Sequence, residues 1–230
     1  MKQLLKTVDT LLDLCFPRIC FCCSDVMVDQ ESYLCTNCLL NAPYIRREFI
    51  ETTESIFWGL FPIQHLAILW YYNKGSDYAH LIHRVKYENE KQLGFYLGKL
   101  LANKELEMLQ NANIDYLVPV PIHSQKLSKR GYNQAEWIAK GIAHILNIPI
   151  CTDVLIKESQ TISQTEKSGY ERLMNPQKSF SLASPEKLED KHILLIDDVL
   201  TTGATLMACA EELIKIKGIT LSLGAIFASK

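Results

Sequence analysis

Several things are missing from this 230-residue sequence, and each absence narrows what it can be. It has no uninterrupted apolar run of about 18 residues, so nothing in it reads as a bilayer-spanning helix. The opening stretch, MKQLLKTVDTLLDLC, is broken by Lys6, Asp9 and Asp13 and makes a poor secretory signal, which sets the cytoplasm as the expected location. There is little surplus charge: the formal net charge is −2, so no global attraction to nucleic acid or to an anionic membrane is implied. No internal repeat and no low-complexity tract is present, which excludes solenoids and compositional linkers. What remains, 48% hydrophobic and 22% charged residues, is the make-up of a globular chain with a real core.

Cysteine, by contrast, is plentiful, with eight in the chain. Without a secretion signal, paired spacing points to metal rather than to disulfides. Cys20-x2-Cys23 and Cys35-x2-Cys38 are two knuckles separated by eleven residues. Each offers two thiolates about one turn apart, and together they complete a tetrahedral four-sulfur set of the kind that holds structural zinc. A segment this short cannot bury enough apolar surface to fold alone, so metal binding would supply its folding energy. Cys22 is an alternative partner in the first knuckle, with poorer spacing. Cys15, Cys151 and Cys209 read as buried thiols. Residues 1–50 carry five basic and six acidic side chains, a balance that opposes phosphate-driven DNA binding by a zinc-stabilised ribbon.

The most informative stretch is residues 192–206, HILLIDDVLTTGATL. His192–Ile196 is an apolar, β-branched run of the sort buried on both faces of a parallel sheet. It is expected to end at two adjacent carboxylates, Asp197 and Asp198. A loop of small residues follows, Thr201-Thr202-Gly203-Ala204-Thr205, and a helix should begin at about Gly203, carried by Leu206, Ala210, Leu213 and Ile214. A helix start presents unpaired N–H groups and the positive end of the macrodipole, so the loop can close around a phosphate. The two carboxylates would repel that phosphate and must face another part of the ligand. A sugar's vicinal hydroxyls suit them, because a carboxylate accepts two such bonds. Phosphate and diol at one sugar's separation describe a ribose 5-phosphate. An ordinary capped strand-to-helix turn would need one capping residue, and this stretch has five.

Elsewhere, residues 2–15 form an amphipathic pattern, and residues from Asn41 to about Leu60 read as a linker. Leu66–Tyr72 reads as a strand, Ser76 or Asp77 caps a helix running to about Tyr87, and a second helix is expected from Glu90 to about Met108. His80 and His83 lack a third ligand and read as partly exposed helix residues. Asp115–Pro121 is a strand leading into a cationic loop with His123, Lys126, Lys129, Arg130 and Gly131, a second anion site that can share the acid pair's pocket. Val154–Lys157 is a further strand. The polar stretch Glu158–Lys178 is either a mobile lid, whose Lys167 and Arg172 swing over a polyphosphate, or a plain surface insertion. The next helix should end near Lys217-Gly218, and Thr220–Ala228 closes the sheet.

The acid-pair string resembles the PRPP-binding motif of type I phosphoribosyltransferases. With the two knuckles, VPVPIHSQKLSKRGYNQAE, and the block carrying Gln164, Thr165, Arg172, Asn175 and Phe180, the chain resembles the ComF/GntX family of phosphoribosyltransferase-like proteins over nearly its full length. Lys157 and the stretch after it depart from the more basic segment usual there. The resemblance implies an α/β fold, a mostly parallel sheet flanked by helices with a hood over the pocket, and a small N-terminal zinc ribbon, divided as residues 1–50 and 51–230. It implies Mg²⁺-PRPP as ligand, with structural Zn²⁺ on Cys20, Cys23, Cys35 and Cys38. Asp197, Asp198 and Arg130 would be the catalytic residues, and Thr201, Thr202, Gly203, Ala204, Thr205, Lys129 and Arg172 further PRPP contacts. The enzymatic reading is a pentosyl transferase that displaces pyrophosphate with an acceptor the sequence does not identify. The rival reading is a PRPP-sensing or single-stranded-DNA-handling adaptor of competence machinery with little turnover. Single-stranded DNA or competence proteins are the partners the resemblance implies, and a glutaminase domain is absent from the sequence.

Overall fold

The computed structural model describes residues 16–58, 61–157 and 180–229. Its centre is a four-stranded, wholly parallel sheet ordered β1 (Leu66–Tyr71), β6 (Thr220–Ala228), β5 (His192–Leu200), β2 (Tyr116–Pro119). The central strands are buried almost end to end, which is why they read as continuous apolar runs rather than alternating ones. Ile193 and Leu195 join the core on one face of the sheet, Leu194 and Ile196 the core on the other. A separate antiparallel pair, β3 (Leu155–Lys157) with β4 (Phe180–Leu182), stands beside the first face. The expected α/β architecture with a mostly parallel sheet is therefore present.

Three short helices before β2, α3 (Asp77–Tyr87), α4 (Lys91–Lys104) and α5 (Leu106–Asn111), lie on the second face together with α7 (Gln134–Leu146). Helices α4 and α7 meet through glycine. A Cβ on Gly98 would sit 2.1 Å from the Ile138 carbonyl oxygen, and one on Gly141 would sit 2.0 Å from that of Phe95, so only hydrogen fits at either place. Helix α8 (Ala204–Leu213) covers the first face with Leu206, Cys209 and Leu213.

The structure departs from the sequence expectations at several elements. Residues 47–58 are not linker but a helix, α2 (Arg47–Trp58), preceded by the short α1 (Thr36–Leu40). Ile50, Glu54 and Phe57 recur on its inner face, where Glu54 Oε1 accepts the Leu66 N–H at 3.1 Å; the polar outer face is what suggested a linker. The long helix expected from Glu90 is two helices, broken at Glu105, where Lys104 Nζ turns inward to the Ile68 carbonyl at 3.0 Å. The cationic loop after β2 contains a seven-residue helix, α6 (Ser124–Arg130), capped by His123 and stopped by Gly131 at φ 81°. Helix α8 ends at Leu213, before Lys217-Gly218. Strand β5 does not stop at Ile196: it carries both acids within it, Val199 still pairing with Phe227 and Leu200 with Ala228.

The cysteine ribbon is not an appendage. Cys20, Leu34, Cys35 and Cys38 share the second-face core with Trp70, Leu97 and Phe227. Tyr78 donates its hydroxyl to the Cys38 carbonyl at 2.6 Å, and Arg84 lies 4.5 Å over the Phe21 ring. No helix among the described residues is long and apolar enough to cross a membrane. The amphipathic pattern at residues 2–15 and the polar stretch Glu158–Lys178, with Lys167 and Arg172, lie outside the described residues.

Candidate active site

The connection after β2 returns over the second face of the sheet, while the one after β5 turns to the first, so their loops part at the C-terminal edge between adjacent strands. Ligands of open parallel sheets sit at such a divergence. A cavity of about 450 Å³ opens there, lined by Asp197, Asp198, Thr201 and Thr205 from the β5–α8 side and by Val120–His123, Lys126, Arg130 and Gln134 from the β2 side. That volume suits a small-molecule ligand.

The phosphate half of the site is built locally. Gly203 holds φ 76°, a left-handed conformation, and a Cβ there would also press to 3.3 Å from Phe57 Cζ. Having no side chain, Gly203 gives α8 no side-chain cap; Thr202 Oγ1 accepts the Ala204 N–H at 3.4 Å. The turn thus directs the start of a ten-residue helix, with its positive dipole end, toward the cavity.

The acid half depends on distant partners. Successive strand residues point to opposite sides, so the two carboxylates diverge. Asp198 meets Lys86 of α3, Oδ1 to Nζ 3.0 Å, on the second face. Its Oδ2 is buried with no hydrogen-bond partner among the described residues. Asp197 lies toward Lys157 and Cys209 on the first face, and its Oδ1 accepts the Asp198 N–H at 2.8 Å. Burial first, then the neighbouring Asp198 charge, raises the Asp197 carboxyl to about 7; the Asp198 N–H and the Lys86 and Lys157 ammonium groups work the other way. Lys157 is lowered, mainly by its own burial.

Of the residues singled out in the sequence, Asp197, Asp198, Thr201, Thr205 and Arg130 come together around one cavity. Thr202, Gly203 and Ala204 shape the turn behind it. Lys129 lines an adjoining groove instead, and Arg172 lies outside the described residues. The sequence reading missed Lys86, Lys157, His83 and Tyr87, all of which line the cavity. A signal for Lys86 existed: Ala79, Ile82, His83 and Lys86 follow the i, i+3, i+4, i+7 spacing of one helix face. Lys157 gave none, since only its pairing with Phe180 brings it to the acids.

Away from this cavity, the ribbon's Cys20, Cys23, Cys35 and Cys38 place their sulfurs within 4.8 Å of one another. Burial disfavours a thiolate at Cys20, but N–H groups of Cys23, Cys35 and Cys22 point at its sulfur and bring it down to about 7. The Cys35 N–H lies 3.3 Å from it. Four converging sulfurs with amides aimed at them are the donor set a zinc ion takes. Cys22 stands outside the four.

Comparison with known proteins agrees with this architecture. Residues 132–227, from the start of the α7 region through β6, match the family described as the phosphoribosyl transferase domain. Competence protein F of Haemophilus influenzae is 30% identical over 140 residues, 59% of this chain and 61% of that protein. DNA utilization protein YhgH of Salmonella typhi is 27% identical over 147 residues, 61% of this chain and 64% of that protein. Competence protein ComFC of Streptococcus pneumoniae is 30% identical over 146 residues, 63% and 59% of the two chains. The matched stretch spans less than two thirds of each of these relatives. The parallel sheet and the acid-pair strand thus sit in a chain whose residues 132–227 match a phosphoribosyl transferase domain and which is similar, over about three fifths of its length, to competence and DNA utilization proteins.

Proposed function

We propose that this chain binds Mg²⁺-PRPP in the β5–α8 cavity and displaces pyrophosphate from C1 of the ribose with an acceptor nucleophile. The observation that carries the reading is Asp198, which lines a cavity also lined by Thr205 of the first α8 turn and whose buried Oδ2 has no hydrogen-bond partner among the described residues. An unpaired buried acceptor is costly, and a ribose hydroxyl would satisfy it.

In this reading Asp197 and Asp198 hold the ribose hydroxyls, while the α8 amides with Thr201, Thr202 and Thr205 hold the 5-phosphate. Lys86 keeps one oxygen of Asp198 neutralised and leaves the other for the ligand. Departure of pyrophosphate builds positive charge on the sugar ring and negative charge on the leaving group. Such chemistry needs little proton transfer; fixed geometry and charge stabilisation lower the barrier. In this reading Arg130 of the cavity and Lys129 of the adjoining groove would meet the leaving group, and Arg172, outside the described residues, would be a further cation. Magnesium would supply charge neutralisation at the diphosphate, and the hard carboxylate oxygens of Asp197 and Asp198 are donors of the type it accepts. The relatives named for competence and DNA utilization support placing this activity in the uptake or use of DNA.

Titration calorimetry of Mg²⁺-PRPP against the wild type and Asp198→Asn tests the proposal. Binding to the wild type and a loss of about tenfold or more in the variant, the worth of one charge-assisted hydrogen bond, are expected. Equal affinity would overturn it. A screen for pyrophosphate release across bases, amines and single-stranded DNA identifies the acceptor.

A further inference from the structure

Three strand ends line the acid cavity, and the sheet order β1-β6-β5-β2 spreads them along its C-terminal edge. Tyr72, next after β1, stands at one end, the acids of β5 in the middle, and Lys126 and Arg130, beyond β2, at the other. Lys86 and Lys157 belong to the acids. The cations beyond the acid pair, where a departing pyrophosphate would go, therefore lie at the β2 end. The β1 end is walled by Tyr72 with Ala79 and Ile82 of α3 and Val199 of β5, and it carries His83. The reaction derived above gives none of these residues a task.

His83 is held in a definite sense. Its Nδ1 lies 3.4 Å from one oxygen of Glu88, whose other oxygen lies 3.3 Å from Arg84. An ionised carboxylate only accepts, so the ring proton sits on Nδ1 and Nε2 keeps its lone pair. Nε2 has no hydrogen-bond partner among the described residues, and the side chain is 62% exposed where it lines the cavity. An imidazole oriented by a carboxylate, with its second nitrogen open to a ligand cavity, is the arrangement of a general base.

Loss of pyrophosphate needs little proton transfer, but an acceptor O–H or N–H must shed its proton as the bond to C1 forms. In sugar transfers with inversion, the group that takes this proton sits across the ring from the leaving group. We infer that the β1 end of the cavity is the acceptor subsite and that His83 is the base that serves it. The acceptor's lone pair forms the bond to C1, its proton passes to His83 Nε2, and the C1–O bond breaks with both electrons leaving on pyrophosphate. His83 then returns the proton to solvent. The subsite selects a small uncharged acceptor, because its walls are apolar or aromatic and Lys86, one turn along α3, is committed to Asp198 at 3.0 Å. This assignment rests on the transferase reading of the acid pocket.

The test follows pyrophosphate release from Mg²⁺-PRPP by the full-length chain, with water, benzyl alcohol and para-hydroxymethylbenzoate as probe acceptors. His83→Phe keeps a ring against Tyr87 but removes the base. It and His83→Ala should keep the wild-type melting temperature and PRPP affinity and lower kcat by roughly 100-fold or more. Azide brings a lone pair and no proton, so it should restore release by His83→Ala and change the wild type little. Benzyl alcohol should react faster than its carboxylate with the wild type. Full activity of His83→Phe, or a loss that azide does not repair, removes His83 as the base. The carboxylate reacting as fast as benzyl alcohol, or transfer to neither, removes the uncharged subsite. If calorimetry shows PRPP bound but the wild type releases no pyrophosphate, the acceptor assignment falls and the acid pocket stands; if PRPP does not bind, both fall.

Discussion

Replacing Asp197 by Asn should make the protein more stable at neutral pH, and the gain should depend on pH in a defined way. Asp197 is only 8% exposed, and its carboxyl is raised from 3.8 to about 7. A carboxylate whose folded value lies above its unfolded value helps the fold only while it is protonated. That contribution is complete below about pH 4 and is lost as pH rises toward 7. A displacement of about three pH units at 1.36 kcal/mol each sets an upper limit of about 4 kcal/mol. Asparagine keeps the oxygen that accepts the Asp198 N–H but adds an amide N–H needing a partner, which removes about 1–2 kcal/mol of the gain. The net expectation is about 2–3 kcal/mol above pH 7, or roughly 4–12 °C in melting temperature for a chain of this size. The assay is thermal denaturation of both proteins from about pH 4 to about pH 8. His192 is lowered by burial, so it costs stability as pH falls, but it is common to both proteins and cancels in the difference. The variant should be the less stable protein by about 1–2 kcal/mol at the acid end, overtake the wild type as pH rises, and reach its full advantage by about pH 8. A gap independent of pH, or a wild type that overtakes the variant as pH rises, would refute the reasoning. The same variant should lose PRPP affinity, because a site that holds a destabilising charge does so for its ligand.

Other expectations follow from the same geometry. Lys86→Met should destabilise by about 3 kcal/mol by leaving Asp198 buried without its counter-ion, and Lys86→Met/Asp198→Asn should recover most of that in a double-mutant cycle read by denaturant melts. Gly141→Ala should cost about 3 kcal/mol, since its Cβ would overlap the Phe95 carbonyl, whereas Gly75→Ala meets no neighbour and should cost only the strain of its positive φ. Elemental analysis of the purified protein should find about one zinc per chain, and Cys38→Ser should abolish it. Because the ribbon shares a core with Trp70 and Leu97, metal loss should also lower the melting temperature, by roughly 10 °C, rather than free a separate module.

Where elements are specified by neighbouring residues, the sequence was readable. The strand at His192, the turn at Gly203 and the final strand at Thr220–Ala228 each follow from a short run or a single special residue. The helix α2 was missed because Ile50, Glu54 and Phe57 use a charged residue as one of three inward positions, which breaks an apolar periodicity. The continuation of β5 through the acids was missed for a related reason. Carboxylates normally end a buried strand, and only the pairing with β6 and the lysines on either side keep them inside.

The amino-acid order alone thus determined the parts whose physics is local: the cysteine spacing that makes a four-sulfur set, and a glycine turn that starts a helix toward an anion. Tertiary structure decided the rest. It set Lys86 against Asp198 and Lys157 near Asp197, on elements far apart in the chain, and it collected Lys126, Lys129 and Arg130 about Tyr87 in a protein of negative net charge. Charge and burial act through space, and the distance between two side chains in water or protein is fixed by how strands pair and helices pack, which no local pattern records.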